Sequence, residues 1–479
     1  MWDSLATGAN TVPQLHLDPD RALPPDPATR ELARTVYAQT RSLPLLCMHG
    51  HVDAALLADD TPFGDPAGML ITPDHYVTRL IHAAGVPLEA LGVGTPDPDS
   101  RAIWRTFCAN WRLFRGTPSR YWLTHELVDV FGVDTAPSEA TADQLYDELT
   151  ARLAEPAFRP RALFERFGIE VLATTDSPLD DLDAHARLAA DGWGSRVIPT
   201  FRPDALVHLA RPSWIADVAA LAKRADVATD DYDGYLTALR ARRQAFIAAG
   251  ALATDHGHES ADTTPLSDAE ARRVYAAALA GQVTPADAAA FAGHMLFQMA
   301  AMSCEDGLVM QLHPGVLRDH NDEAHRRYGP DRGFDIPVAV EFTRSLRPLL
   351  QSFGRHPALR LILFTVDETV HTRELAPLAG VYPAVRLGAP WWFLDSPDGL
   401  RRFRAAVTET AGFYNTAGFV DDTRAFASIP ARHDLARRID AGHLAGLVAG
   451  GLLDLDEAVE TAVDLAYTIP REVYARPAG

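Results

Sequence analysis

Short apolar runs rich in branched residues recur along the chain at wide spacing, at residues 43–48, 169–174, 196–201, 307–313, 360–365, 384–388 and 418–420. Each gives way to a polar turn and then to an Ala-, Leu- and Arg-rich stretch with helical spacing. Strands that alternate with helices imply parallel crossovers. About eight such units favour a closed barrel over an open doubly wound sheet. No GxGxxG follows any of the runs, which counts against a dinucleotide fold. More than 100 residues of mostly helical pattern separate the first run from the second, too many for one crossover. The pattern thus predicts an α/β chain with residues 1–40 as a polar, Pro-rich and then helical lead-in. Residues 41–479 follow as a distorted (β/α)8 barrel, with a helical insertion at about 70–165 and helical decoration at about 230–300.

The polar residues at the ends of these runs carry the chemistry, because loops at the carboxyl ends of barrel strands hold the active site. The first run ends in His49-Gly50-His51. Residues i and i+2 on a strand point the same way, so the two imidazoles can converge on one ion, or they are merely surface histidines. Asp422 follows the last run and would face them across the mouth as third metal ligand, as general base, or as both; an ordinary helix cap is the plain alternative. His313 could reach the same ion or a sugar hydroxyl. Arg202 and Arg424 also follow runs directly, and two guanidinium forks at one mouth suit an anionic substrate. Asp74-His75-Tyr76, with Arg79 on the face of His75, lies in the insertion, where a His and a Tyr could be delivered over the mouth. Trp391-Trp392 could stack on a sugar face or fill the core. Asp255-His256-Gly257-His258 has metal-like spacing but stands between helical segments, and reads as a supporting or loop feature.

Composition narrows the class. A formal charge of −20 argues against a nucleic-acid backbone as partner, and requires an anionic ligand to find local arginines. Lys223 is the single lysine and sits in solvated helical surroundings, which argues against Schiff-base chemistry, a pyridoxal cofactor and a nucleotide-binding P-loop. It also removes the carboxylated-lysine bridge of a two-metal hydrolase, so one ion at most is expected. Cys47, Cys108 and Cys304 form no CxxC pair and read as buried apolar residues. No apolar stretch is long enough for a membrane span, and the start lacks the pattern of a secretory signal, so the cytoplasm is the expected location.

Taken in order, several segments resemble the uronate isomerase (glucuronate/galacturonate isomerase) family of the amidohydrolase superfamily. They are His49-Gly50-His51, Asp74-His75-Tyr76 with Arg79, Thr174-Thr175-Asp176-Ser177-Pro178 and Pro199-Thr200-Phe201-Arg202-Pro203-Asp204. Asp255-His256-Gly257, Met310-Gln311-Leu312-His313, Ala389-Pro390-Trp391-Trp392-Phe393 and Asp422-Thr423-Arg424 continue the series. Three positions depart from the family pattern: Cys47 stands where an Asp is usual, Pro73 where a Gly is usual, and Pro314 follows His313. The resemblance implies an amidohydrolase-type barrel that interconverts D-glucuronate and D-fructuronate, and/or D-galacturonate and D-tagaturonate. It implies a divalent metal, zinc before manganese, on His49, His51 and Asp422. His75, Tyr76, Arg202, His313, Trp391 and Arg424 would hold the open-chain uronate, with Asp422, Tyr76 and Arg424 in catalysis. Proton transfer through an enediol is the expected route, and a homo-oligomer the expected assembly. A single-metal amidohydrolase of sugar-acid lactones or amides shares the histidines and Asp422, but does not account for the 200–204 segment or the tryptophan pair.

Overall fold

Leu45, Leu46 and Cys47 are all buried, as in a strand covered on both faces, and form β1 (Leu45–Cys47). A computed structural model describes residues 13–475, so residues 1–12 of the expected lead-in and the last four of the chain lie outside the described residues. β2 (Ile169–Ala173) and β3 (Val197–Ile198) lie parallel beside β1 in the order β1-β2-β3. β4 (Ala253–His256) and β5 (Val309–Leu312) begin a second parallel sheet. An antiparallel ribbon of β6 (Val316–Leu317) and β7 (Ile336–Pro337) then leaves the barrel, and β8 (Leu361–Leu363) and β9 (Val385–Leu387) complete the order β4-β5-β8-β9.

Single bridges join the two sheets. Phe201 pairs in parallel with Asp176 on one side and Thr254 on the other, so it links the β2–β3 edge to β4. Across the ring, Thr416 bridges Leu387, the Asp422 amide donates to the His49 carbonyl at 3.1 Å, and the His51 amide donates to the Thr423 carbonyl at 3.0 Å. Residues 416–423 therefore occupy the eighth station between β9 and β1, and the fold is a distorted (β/α)8 barrel. The expected strand at 418–420 is not regular, because Gly418 (φ 82°) and Asp422 (φ 43°) break the extended backbone. A side chain at Gly418 would also meet the Pro470 ring at 2.9 Å.

One expectation is overturned outright. Asp255 and His256 belong to strand β4 and not to a loop between helices. The strand is four residues long and three of them are polar, so it gives no apolar run to read. Between β1 and β2 the chain forms helices from Ala54–Asp59 through Pro160–Arg166, which pack around Trp104, Phe107, Phe114 and Leu149 in an apolar cluster shared with β1, β2 and β3. The helix Pro27–Thr40, capped by Asp26 with proline at its first position, packs along the helix Ile429–Ala449. No helix among the described residues is long and apolar enough to cross a membrane.

Candidate active site

The mouth of the barrel opens into a cleft of about 670 Å³. His51, Asp422, Arg424 and His313 line it from strand exits, and His75 and Tyr76 line it from the insertion. Arg202 and Trp391 complete its wall, while His49 lies just beneath, 2% exposed. Every residue singled out from the sequence as a site candidate is thus at one place.

Asp422 is pinned at its base. Its left-handed backbone costs on the order of 1–3 kcal/mol, and Trp392 (φ 52°), beyond the neighbouring strand β9, carries similar strain. Asp422 Oδ1 lies 3.3 Å from His49 Nε2 and 3.2 Å from His51 Nε2. Ligands around one tetrahedral ion stand roughly 3.3–3.5 Å apart, so this spacing suits a shared metal. His49 Nδ1, His49 Nε2 and Asp422 Oδ1 are buried and make no hydrogen bond within the protein, so this donor set fits a cation. These three residues form a group able to hold a divalent metal. Burial alone would raise the Asp422 carboxyl, but His49 and His51 outweigh it and hold it well below the usual carboxylate range. Asp422 caps no helix: the helix Ile429–Ala449 starts seven residues later, behind Ser428.

A second buried carboxylate stands behind the pair. Asp255 Oδ1 is 2.6 Å from His313 Nε2 and 3.8 Å from His49 Nδ1, and Asp255 Oδ2 is 3.3 Å from Arg202 Nη1. Burial opposes its ionisation, but His313, His49 and Arg202 together keep it well below the ordinary value. Arg202 also donates from Nε to Asp204 Oδ2 at 2.8 Å. Burial raises Asp204 and Arg202 lowers it further, with the carboxyl held at about 2.

The insertion supplies the other wall. Asp74 caps the helix His75–Ala83 by accepting from the Tyr76 amide at 2.8 Å, which fixes both aromatic rings at the mouth. Burial raises the Tyr76 hydroxyl well above 10, so Tyr76 stays a neutral donor. Arg79 and Arg432 flank its ring, with guanidinium carbons 5.1 and 5.2 Å from the centroid. Trp391 faces His313 at 4.8 Å between ring centroids, so the tryptophan pair is both buried and part of the cleft. Arg424 is ion-paired with Asp331, which arrives on the excursion between β6 and β7.

A family model described as glucuronate isomerase matches residues 28–474. A curated uronate isomerase of Rhizorhabdus wittichii is 54% identical over 464 residues, which cover 97% of this chain and 99% of that protein. The chain belongs to the uronate isomerase family. The crystal structure of glucuronate isomerase from Caulobacter crescentus superposes with a TM-score of 0.95 at 48% identity, over 97% of this chain and all of that one. Uronate isomerase from Thermotoga maritima superposes with 0.91 at 28%, over 96% of this chain and all of that one. Membership in the uronate isomerase family favours the isomerase reading over a sugar-acid lactonase or amidase.

Sequence reasoning underrated Asp255 and missed Asp331. The signal for Asp255 is the metal-like spacing of Asp255-His256-Gly257-His258, which no apolar run marks as a strand end. Asp331 sits in a turn between β6 and β7 and carries no local signal that would place it against Arg424.

Proposed function

We propose that the chain interconverts an aldose uronate and its ketose, D-glucuronate with D-fructuronate and/or D-galacturonate with D-tagaturonate, by proton transfer through an enediol. One observation carries this reading: an ionised Asp422 beside two histidines, at the base of a cleft that also presents Arg202, Arg424 and the neutral Tyr76 hydroxyl. A divalent ion on His49, His51 and Asp422, zinc before manganese, would polarise the sugar's carbonyl oxygen. Asp422 takes the proton from carbon 2. The freed electron pair forms the carbon 1–carbon 2 double bond, and Tyr76 gives a proton to the oxygen on carbon 1. The hydroxyl on carbon 2 then releases its proton to the Tyr76 oxygen as the new carbonyl forms, and Asp422, whose proton exchanges with solvent, protonates carbon 1. Arg202 and Arg424 hold the carboxylate and the developing negative oxygen, the kind of stabilisation that commonly dominates such barriers. His75 and His313 bind hydroxyls, and Trp391 walls the sugar off from water. A homo-oligomer in the cytoplasm is the setting we propose.

Proton NMR of the zinc- or manganese-loaded protein with each uronate in D2O tests this. A ketose carrying deuterium at carbon 1 is the expected product. A ketose without deuterium would replace the proton route by hydride shift, and no ketose from either sugar would overturn the assignment.

A further inference from the structure

A second group of metal donors lies on the far side of β4. Successive residues on a strand face opposite ways, so Asp255 points toward His49 while Thr254 and His256 point outward. His256, fully buried, has Nε2 2.9 Å from Thr254 Oγ1, and that hydroxyl reaches the Val309 carbonyl at 3.4 Å. With the threonine proton directed to the carbonyl, its lone pair takes the His256 Nε2 proton. That leaves His256 Nδ1 as a bare lone pair, buried and without a partner. A hydrogen bond from one ring nitrogen that frees the other is the arrangement metal-binding histidines use. His258 Nε2, on a side chain 5% exposed, is likewise buried and unpartnered. Asp204 supplies a carboxylate, and one ligand atom from each of the three residues lies within 4.8 Å of the other two. Small side-chain rotations close that span to the roughly 3.4 Å between ligands on a tetrahedral ion.

The backbone is shaped for this approach. A side chain at Gly257, between the two histidines, would meet Asp204 Oδ2 at 2.9 Å and Arg202 Nη2 at 2.8 Å. Glycine there lets the Gly257 amide donate to both Asp204 oxygens at 3.1 Å. Asp204 and His258 also line the cleft, which gives an ion a way in. His208, its ring 4.7 Å from His258, turns Nε2 to the Gly257 carbonyl at 3.2 Å and is not needed as a ligand.

We infer that Asp204, His256 and His258 bind a second divalent transition ion, separate from the one on His49, His51 and Asp422. Two neutral imidazoles and one carboxylate suit zinc, cobalt or nickel better than magnesium or calcium. A second ion departs from the sequence expectation of at most one, which rested on the missing bridging lysine; this site needs no bridge, because it shares no ligand with the first. Its ion ties the turn that carries Arg202 to the exit of β4. The inference does not depend on the isomerase reaction.

Crystals grown with zinc, measured at the zinc absorption edge, test it. Two anomalous peaks are expected, one among His49, His51 and Asp422 and one among Asp204, His256 and His258. A peak at the first place alone overturns the inference, and a peak at the second alone upholds it while undoing the first assignment. In solution, zinc titrated into the metal-free protein should bind at two equivalents. His258→Ala, at the cleft wall, should bind one equivalent, and so should His256→Gln, with unchanged circular dichroism. One equivalent in the unaltered protein that both variants keep, or two in both variants, overturns it.

Discussion

Arg202 lies between two carboxylates that use different edges of its guanidinium, Nε toward Asp204 and Nη1 toward Asp255. Lysine keeps the charge but offers a single point donor, so it cannot serve both partners and a substrate carboxylate. Arg202→Lys should lower kcat/KM by about 10- to 100-fold, the worth of one charge-assisted hydrogen bond of roughly 1.5–3 kcal/mol. Steady-state kinetics on the preferred uronate would show it, and unchanged kcat/KM would remove Arg202 from substrate binding. Glu126 offers a test of stability instead of catalysis. Burial, with Asp74 adding to it, lifts its carboxyl to about 8. The folded chain therefore holds a proton on Glu126 between about pH 4.5 and 8 that the unfolded chain releases, so this residue's contribution to stability is lost as pH rises through that window. Glu126→Gln keeps the shape without the titration. Its melting temperature should draw ahead of the unaltered protein from about pH 5 to 8 and then stay parallel, by an amount on the order of a few kcal/mol in stability. A constant difference across that range would show that Glu126 does not hold its proton.

At the scale of elements, the excursion between β6 and β7 acts as a lid on the cleft. Its helix Asp322–Tyr328 docks on the insertion, where the Tyr328 hydroxyl donates to Glu89 at 2.7 Å and Phe334 meets His82 at 5.6 Å. From there Asp331 takes the Arg424 guanidinium that a substrate carboxylate would use. Asp331→Asn should therefore lower KM about two- to fivefold with kcat nearly unchanged, in keeping with the modest worth of a part-exposed ion pair. A higher KM would mean that Asp331 contributes to binding the sugar. Neither the lid nor β4 was legible in the sequence, for opposite reasons. The lid's strands are two residues long and its helix seven, too short for periodicity to register. β4 is as long as β5, but Asp255 and His256 replace apolar positions with polar ones that face partners on both sides. The strands that did read clearly, such as Leu45–Cys47 and Leu361–Leu363, are apolar because helices cover one face and the barrel core the other. His49, His51 and Asp422 were legible for the same reason, since a strand exit fixes where its polar residues must point. Arg424 was legible as an anion binder, while its present partner was not, because contact across 93 residues leaves no local trace.

For the molecule as a whole, charge is the unresolved tension. The chain carries −20, yet the proposed substrate is an anion. The cleft does not reverse the sign, since its lining has four arginines against eight acidic residues. Some of that excess is muted: burial holds Asp176 up at about 7, so it is part-protonated near neutrality. A bound divalent ion would offset two charges more. What remains is a site whose cationic groups act at contact distance while the surrounding field repels the approaching uronate. Short-range contacts in a shielded cleft are little affected by salt, but the long-range field is cut as the Debye length falls from about 30 Å at 0.01 M to about 8 Å at 0.15 M. Raising ionic strength with a chloride salt over that range should therefore increase kcat/KM, about two- to threefold, with little change in kcat, because only the encounter is affected. The same series run with a neutral sugar ligand as inhibitor should show no salt dependence, which separates field screening from a change in the protein. A fall in kcat/KM with salt would mean that Arg202 and Arg424, with the metal, dominate the field well outside the cleft.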